Sequence, residues 1–166
     1  FLGHGFTLYV WRNIEGSEDL AYRLANAGYD TVLAPATRLY LDMAPYPSAD
    51  EAGQTWAAYV DLDTVFDYVP YDDNRVAPES PARLAGMERL SDAGKRHVLG
   101  LEAPMFSETL NDASRLDYML MPRLAVVFFG LVPRLPYVPA RLAVAQLAGA
   151  PGQAMVRLAA IVARVS

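Results

Sequence analysis

The feature that most constrains the fold is a short apolar run, a helical segment and a second apolar run, all within residues 6–34. Residues 6–11, Phe-Thr-Leu-Tyr-Val-Trp, are rich in aromatic and β-branched side chains and predict a buried strand. In residues 20–25, leucine and alanine recur at helical spacing, and Gly28 offers a left-handed stop for the helix. Residues 31–34 predict the next strand. A strand-helix-strand unit this short predicts parallel neighbouring strands and therefore an α/β fold.

The chain continues this alternation as far as residue 127. The further predicted elements are, in order, a helix at 61–68, a weaker helix at 81–93, a strand at 97–103 and an amphipathic helix at 112–127. We expect Gly94 to end the second of these helices and Pro122 to kink or restart the last one. The loop at residues 43–55 is longer than a simple connection needs, which is typical of functional loops.

Aromatic and polar side chains follow each predicted strand at its carboxyl end. The first strand ends on Trp11, the second is followed by Tyr40 and Asp42, and the third by Phe106 and Glu108. In α/β barrels the active site is built at this end of the strands. If the second strand extends this far, Tyr40 and Asp42 point to the same face and can hold a polar ligand. The alternative is a tyrosine that caps the core and an aspartate that starts a turn.

The composition argues against several classes of protein. With 53% apolar and 20% charged residues, the chain has the composition of an ordinary globular protein. A net charge of −5 makes a nucleic-acid partner improbable. The chain has no cysteine, and His4 and His97 are far apart, so neither a disulfide nor a zinc site is predicted. Because no glycine-rich strand-to-helix turn is present either, we expect no metal and no cofactor.

The two ends of the chain differ from its middle. All 19 acidic residues precede residue 124, and the last 43 residues carry four arginines as their only charged residues. The apolar stretch at 124–132 is far shorter than the roughly 20 residues of a membrane span, so no span is predicted. At the other end, the chain begins with Phe1 and not with Met, and no signal peptide is recognisable there. We therefore expect the chain to be a fragment.

Several short segments follow one another in a recognisable order. They are Val10-Trp11-Arg12, Ala27-Gly28-Tyr29, Leu39-Tyr40-Leu41-Asp42-Met43, Gln54-Thr55-Trp56-Ala57, Leu99-Gly100-Leu101-Glu102-Ala103, Phe106-Ser107-Glu108 and Met121-Pro122-Arg123. Together they resemble glycoside hydrolase family 20, the β-N-acetylhexosaminidases, and especially its bacterial chitobiase-like branch. A lone Tyr-x-Asp would be weak evidence, but so many segments in one order are strong evidence.

The resemblance implies a fold and a reaction. Residues 1–126 would be the C-terminal half of a (β/α)8 TIM barrel, about its last three strand-helix units, since a whole barrel needs roughly 250 residues. The enzyme would remove terminal β-linked N-acetylhexosamine from oligosaccharides or glycoconjugates by substrate-assisted retaining catalysis, in which the acetamido oxygen of the sugar attacks the anomeric carbon. The family's adjacent Asp-Glu pair, which includes the acid, matches no segment here. We expect it in a missing N-terminal half, so the isolated chain would be inactive.

The same resemblance assigns polar contacts in the sugar site. Tyr40 matches a tyrosine whose hydroxyl donates to the acetamido oxygen and stabilises the oxazolinium intermediate. Asp42 and Glu108 match carboxylates that accept hydrogen bonds from hydroxyls on the far side of the terminal sugar. Acceptors at the floor of a pocket favour an exo-acting enzyme. The structural alternative is a buried turn aspartate and a helix-start glutamate.

The resemblance also assigns the aromatic walls of the site. Trp11 and Trp56 match side chains that cover the apolar faces of the sugar, although tryptophans are also common in protein cores. Phe106 stands where the family usually has a third tryptophan, so this subsite would bind its sugar differently. Arg123 matches a Pro-Arg of the family near the start of the last helix and is interpreted as structural. A periplasmic or secreted location would fit the family, but no feature of this segment predicts a compartment.

The resemblance stops close to Val127. Residues 126–130, Val-Val-Phe-Phe-Gly, stand where the family continues with an acidic residue and a tryptophan. We hypothesise that residues 127–166, rich in Ala, Val, Pro and Arg, are not native family sequence and reflect a shifted reading frame. Two other hypotheses stay open for the whole chain: a non-catalytic sugar-binding or structural half-barrel, and an unrelated α/β barrel enzyme.

Overall fold

A three-stranded parallel sheet lies at the centre of the computed structural model, which describes residues 5–72, 85–131 and 134, and the backbone of residues 144–145 and 159–160. Its strands are, in spatial and chain order, β1 (Leu8–Val10), β2 (Thr31–Leu33) and β3 (Val98–Leu101). Each strand is shorter than its predicted run. The three predicted strands and their parallel pairing are confirmed.

Helix α1 (Leu20–Asn26) forms the crossover between β1 and β2 and buries Tyr22 and Ala25 against the sheet. Gly28 follows with a φ of +89°, a conformation that glycine adopts without the steric cost of a side chain. The predicted helix and its glycine stop are therefore confirmed. The crossover brings the chain back to the sheet at Thr31, whose backbone N–H donates to the carbonyl oxygen of His97 at 2.8 Å.

Tyr40 and Asp42 do not lie on β2 itself, so the condition under which they would share one face of a strand is not met. A single helical turn, α2 (Ala36–Leu39), intervenes, because Pro35 has a φ of −60° and its carbonyl oxygen accepts from the backbone N–H of Leu39 at 2.8 Å. The chain becomes extended again at Tyr40. The backbone N–H of Leu41 then donates to Pro104 at 2.8 Å, so the chain rejoins the carboxyl end of β3.

The middle of the chain contains two short helices. Helix α3 (Leu62–Phe66) is capped by the Asp61 carboxylate, which accepts from the backbone N–H of Thr64 at 2.7 Å. Helix α4 (Asp92–Lys95) contains Gly94, so the prediction that Gly94 ends a helix is wrong. A Cβ at Gly94 would overlap the side-chain oxygen of Asn26, which explains why glycine packs here against α1. Of the helix predicted at 81–93, residues 85–91 are not helical and residues 81–84 lie outside the described residues.

The last described helices confirm the predicted restart at Pro122. Helix α5 (Ala113–Leu120) is capped by Asp112 and buries Met119 and Leu120. The Met121–Pro122 peptide bond is cis, and helix α6 (Arg123–Val126) then leads into a π-helical turn, Val127–Leu131. Farther on, strands β4 (Val144–Ala145) and β5 (Ala159–Ala160) pair antiparallel. Within the described residues, no helix is both long and apolar enough to cross a membrane.

The core forms where the helices cover the sheet. Leu33 and Leu101 contribute from the strands, Val65 from α3 and Met119 from α5, and each is at most 1% exposed. Leu131, beyond the predicted boundary at residue 127, is also fully buried in this core. The observed unit is therefore an α/β layer structure with three parallel strands, and its carboxyl-end loops share one side of the sheet.

Candidate active site

An open cleft of about 420 Å³ lies at the carboxyl ends of the three strands, within the size range of small-ligand sites. The residues that line it are Trp11, Tyr40, Asp42, Gln54, Trp56, Phe106 and Glu108. All the residues predicted from the sequence to contact a sugar lie together here. They come from four separate segments: the end of β1, the stretch after α2, the long loop, and the stretch after β3.

The walls of the cleft are aromatic. The rings of Trp11 and Trp56 meet edge to face at 5.9 Å, and those of Tyr40 and Trp56 at 6.0 Å. Phe106 lies against Tyr40, with 5.5 Å between ring centroids. The two tryptophans are 44% and 50% exposed, so they are not core side chains. Flat apolar surfaces of this kind, accessible from solvent, suit a ligand with apolar faces and polar edges.

The floor of the cleft contains a buried carboxyl group. Asp42 is 2% exposed, and burial raises the pKa of its carboxyl from 3.8 to about 6. The negative charge of Glu108 also raises this pKa, whereas the Phe106 backbone N–H and the Arg123 charge lower it. Its Oδ1 atom has no hydrogen-bond partner among the residues that the structure describes. A buried acceptor without a partner is costly, so this oxygen can still accept a hydrogen bond.

The long loop closes on itself beside Asp42. The backbone N–H of Gln54 donates to the carbonyl oxygen of Asp42 at 2.8 Å, and the N–H of Ala44 donates to that of Gln54 at 2.8 Å. These two bonds hold the end of the loop, and with it Trp56, against the floor of the cleft. Gln54 lines the cleft but was not predicted as a site residue, although it belongs to the Gln54–Ala57 segment that supplies Trp56.

Gly53 permits this close approach. A Cβ there would lie 2.5 Å from the backbone nitrogen of Ala44 and 2.6 Å from its Cα, closer than atoms can pack. We expect Gly53→Ala to displace the Gln54 segment and to reduce the free energy of unfolding by about 2 kcal/mol, measured by urea denaturation. Gly86→Ala is the matched control, since a Cβ at Gly86 meets nothing within 4 Å. Equal stabilities of the two variants would contradict this account.

Arg123 lies beneath the cleft and supports its floor. It is 4% exposed, and its guanidinium donates to the carbonyl oxygens of Leu41 at 2.8 Å, Met43 at 3.1 Å and Val60 at 2.6 Å. It also donates to the carbonyl oxygen of Met119 in the last turn of α5, where helical carbonyls lack amide partners. Burial lowers the pKa of Arg123. The interpretation of Arg123 as structural agrees with these contacts. Arg123 is not among the residues that line the cleft.

The geometry of the cleft can be compared with that of a metal site and with that of a carbohydrate site. Among the described residues, no group of three or more His, Cys, Asp or Glu side chains could hold a metal ion. The cleft instead combines aromatic walls with carboxyl groups, an arrangement typical of carbohydrate-binding proteins and glycoside hydrolases. The fold and the cleft therefore define an α/β protein with an open cleft suited to a ligand that has apolar faces and polar edges.

The sequence model of glycosyl hydrolase family 20, catalytic domain, matches residues 1–127. The chain belongs to this family. Among curated proteins, the beta-hexosaminidase of Vibrio furnissii is 30% identical over 130 residues, which cover 78% of this chain and 18% of that protein. The Beta-N-acetylhexosaminidase of Cellulomonas fimi is 34% identical over 103 residues, or 62% of this chain and 17% of that protein.

Solved structures agree with the family. The N-acetyl-beta-hexosaminidase of Streptomyces plicatus in complex with Thio-NAglucal superposes with a TM-score of 0.55 and 31% identity, over 81% of this chain and 23% of that chain. The exo beta-N-acetylglucosaminidase of Vibrio harveyi in complex with N-acetylglucosamine gives a TM-score of 0.51 and 28% identity, over 71% and 16%. The chain thus spans less than a quarter of the length of each of these relatives.

Proposed function

We propose that this chain is the sugar-binding part of the catalytic barrel of an exo-acting β-N-acetylhexosaminidase. The observation that carries the proposal is the single cleft into which four separate segments bring two tryptophans, a tyrosine and two carboxyl groups. Membership of the family supports the reaction class. The proposed substrate is an oligosaccharide or glycoconjugate that ends in β-linked N-acetylhexosamine.

In this proposal Tyr40 stabilises the charge that develops on the sugar. The reaction is substrate-assisted: the acetamido oxygen attacks the anomeric carbon as the glycosidic bond breaks, and an oxazolinium ion forms. Hydrolysis of this ion by water then gives a sugar that retains the configuration at its anomeric carbon. The Tyr40 hydroxyl donates a hydrogen bond to the acetamido oxygen. Its ring packs edge to face with Trp56 and tilted against Phe106, so the donor is oriented before the charge develops.

Asp42 and Glu108 hold the terminal sugar by its hydroxyls. Asp42 is buried at the floor of the cleft, whereas Glu108 is exposed at its rim. Ionised carboxylates are strong acceptors for hydroxyl groups. Because Asp42 closes the floor of the cleft, only a terminal residue has room there, which accounts for exo action. Trp11 and Trp56 cover the apolar faces of the sugar and exclude water from it.

The group that protonates the leaving oxygen is not part of this cleft. Two adjacent carboxylates, Glu18 and Asp19, precede α1, but Asp19 is paired with Arg23 at 3.1 Å and also accepts from the backbone N–H of Glu88. The pair Asp72-Asp73 extends beyond the described residues. A (β/α)8 barrel has eight strands, and three are present in the described sheet. We therefore propose that the acid belongs to another part of a longer chain.

The isolated chain is expected to show no turnover of para-nitrophenyl N-acetyl-β-glucosaminide above the buffer rate. The chain supplies only part of the proposed barrel, so the sugar is bound from one side and is not held in the geometry that the reaction needs. The release of nitrophenol at saturating substrate measures this. Turnover at a rate typical of enzymes would contradict this expectation and show that the chain catalyses the reaction by itself.

Binding of an oxazolinium mimic tests the role of Tyr40. We expect the thiazoline analogue of N-acetylglucosamine to bind, and Tyr40→Phe to weaken it about tenfold, the cost of one strong hydrogen bond. Calorimetric titration measures the affinity. Tyr59→Phe is the matched control, since Tyr59 is 45% exposed and lies outside the cleft. Equal losses in both variants would refute the assignment of Tyr40.

The second candidate is a chain that binds sugar without hydrolysing it, or a structural half-barrel. The aromatic walls and the carboxyl groups that meet in the cleft favour the first of these. Binding of the thiazoline analogue that Tyr40→Phe weakens, with no turnover when the chain is combined with the missing half, supports a sugar-binding protein. Failure of the unaltered chain to bind the analogue supports a structural remnant.

We also propose that the sequence after about Val127 is not native to the family. The family match ends at residue 127, and the composition changes at about the same point. A shifted reading frame would produce both. Sequencing the DNA that encodes residues 120–135 tests this, and the proposal fails if no alternative frame restores an acidic residue and a tryptophan after Ala125.

A further inference from the structure

Arg123 joins three separate parts of the chain through main-chain oxygens. Nη1 donates to the carbonyl oxygens of Met43 and Val60, and Nη2 to those of Leu41 and Met119. All four acceptor residues are fully buried. A planar guanidinium with several fixed donors can hold such a set of acceptors at once, which a lysine ammonium cannot do with the same geometry.

Two of these acceptors flank Asp42 on either side. Leu41 is further fixed by its backbone N–H, which donates to Pro104 at 2.8 Å. The carbonyl oxygen of Asp42 itself accepts from the backbone N–H of Gln54 at 2.8 Å. The peptide groups on both sides of Asp42 are therefore held from beneath the cleft, while its carboxyl group faces the cleft above.

The charge of Arg123 also acts on this carboxyl. Among the described residues, the hydrogen-bond partners of the guanidinium are carbonyl oxygens and the Met119 sulfur, with no carboxylate bonded to it. Its charge is therefore not neutralised by direct pairing. The groups that interact with it electrostatically are Asp42, Glu51, Asp61 and Tyr118, and the charges that act on Asp42 are those of Glu108, which disfavours ionisation, and Arg123, which favours it.

We propose that Arg123 is a positioning residue of the sugar cleft, which fixes the carboxyl of Asp42 through the carbonyls of Leu41 and Met43 and stabilises its ionised form. The importance of this for sugar binding rests on the proposed function. The effect of Arg123 on the Asp42 carboxyl does not rest on the proposed function, because this effect exists without a ligand. Two measurements on the full chain can therefore separate the two proposals.

The first measurement follows the Asp42 carboxyl without ligand, by carbon NMR across pH. We expect Arg123→Met to raise the pKa of Asp42 above its value in the unaltered chain, because an attractive positive charge is lost. Arg123→Lys keeps the charge and is expected to leave this pKa nearly unchanged. Arg134→Met is the matched control, since Arg134 also donates to two carbonyls, those of Phe66 and Tyr68, but away from the cleft.

The second measurement is the affinity for the thiazoline analogue of N-acetylglucosamine. We expect Arg123→Lys to weaken binding about tenfold, as the loss of a charged hydrogen bond would, while Arg134→Met has no effect. If Arg123 acts through Asp42, Arg123→Lys costs no further affinity in a chain that already carries Asp42→Asn. Additive losses would overturn the proposal.

The remaining outcomes are also decisive. An unchanged Asp42 titration in a folded Arg123→Met variant overturns the positioning role, whatever the sugar affinity. If neither variant folds by circular dichroism, Arg123 supports the whole fold and not the cleft, and the proposal fails. If the unaltered chain does not bind the analogue but the Asp42 titration shifts as expected, the positioning role stands and the proposed function fails.

Discussion

Asp42→Asn is expected to weaken binding of the thiazoline analogue about 10- to 100-fold and, at the same time, to stabilise the fold above pH 6. The affinity falls because an ionised carboxylate accepts a hydroxyl hydrogen bond more strongly than an amide does. The fold gains stability because the variant no longer buries a charge at a site that is 2% exposed. Calorimetry at pH 7.5 (about one and a half units above the pKa of about 6) and urea denaturation measure the two effects.

The stability effect depends on pH in a defined direction. In the folded chain the pKa of Asp42 is about 6, whereas the ordinary value of 3.8 applies to the unfolded chain. The folded state therefore holds the proton more tightly, and the unfolding free energy decreases as the pH rises from about 4 to about 6. Above that range the penalty is complete, about 3 kcal/mol for a pKa raised from 3.8 to about 6, and Asp42→Asn removes it.

The affinity for the sugar should change with pH in the direction opposite to that of the unfolding free energy. Affinity of the unaltered chain is expected to fall as the pH drops below about 6, because the carboxyl that accepts the hydroxyl becomes protonated. Asp42→Asn should show no such decrease. Asp50→Asn is the control, since Asp50 is an exposed carboxylate of the same loop outside the cleft. A destabilised Asp42→Asn variant with normal affinity would instead support the alternative of a structural turn aspartate.

Arg123→Met is expected to reduce the unfolding free energy by about 3 kcal/mol or more. The substitution leaves several buried carbonyl oxygens without donors, and each unsatisfied group costs about 1–3 kcal/mol, partly offset because a buried charge is removed. Urea denaturation followed by circular dichroism measures the change.

Arg134→Met provides the comparison for this large effect. Arg134 also donates to two carbonyl oxygens, at 2.8 and 3.0 Å, and its guanidinium lies 5.1 Å from the centroid of the Phe66 ring. It is exposed, however, and water can replace it at those carbonyls. The expected loss is about 1 kcal/mol or less. Similar losses in the two variants would mean that burial of the Arg123 guanidinium is not what makes it important.

The sequence alone predicted the parallel strands, because local signals determine them. The aromatic and β-branched run before Trp11 and the glycine stop at Gly28 each specify a backbone conformation within a few residues. The clustering of Tyr40 and Asp42 with Phe106 also followed, since carboxyl ends of parallel strands meet at one edge of a sheet. The roles of these residues in sugar binding remain predictions.

What only the tertiary structure decided depends on contacts between distant segments. The glycine inside α4 packs against Asn26, and Arg123 bonds to Leu41 and Val60. These contacts join residues far apart in the sequence, and no local pattern records them. The position of Gln54 in the cleft is of the same kind. Local sequence determined which side chains this chain can offer a sugar, and long-range packing determined how firmly Asp42 and its neighbours are held to receive it.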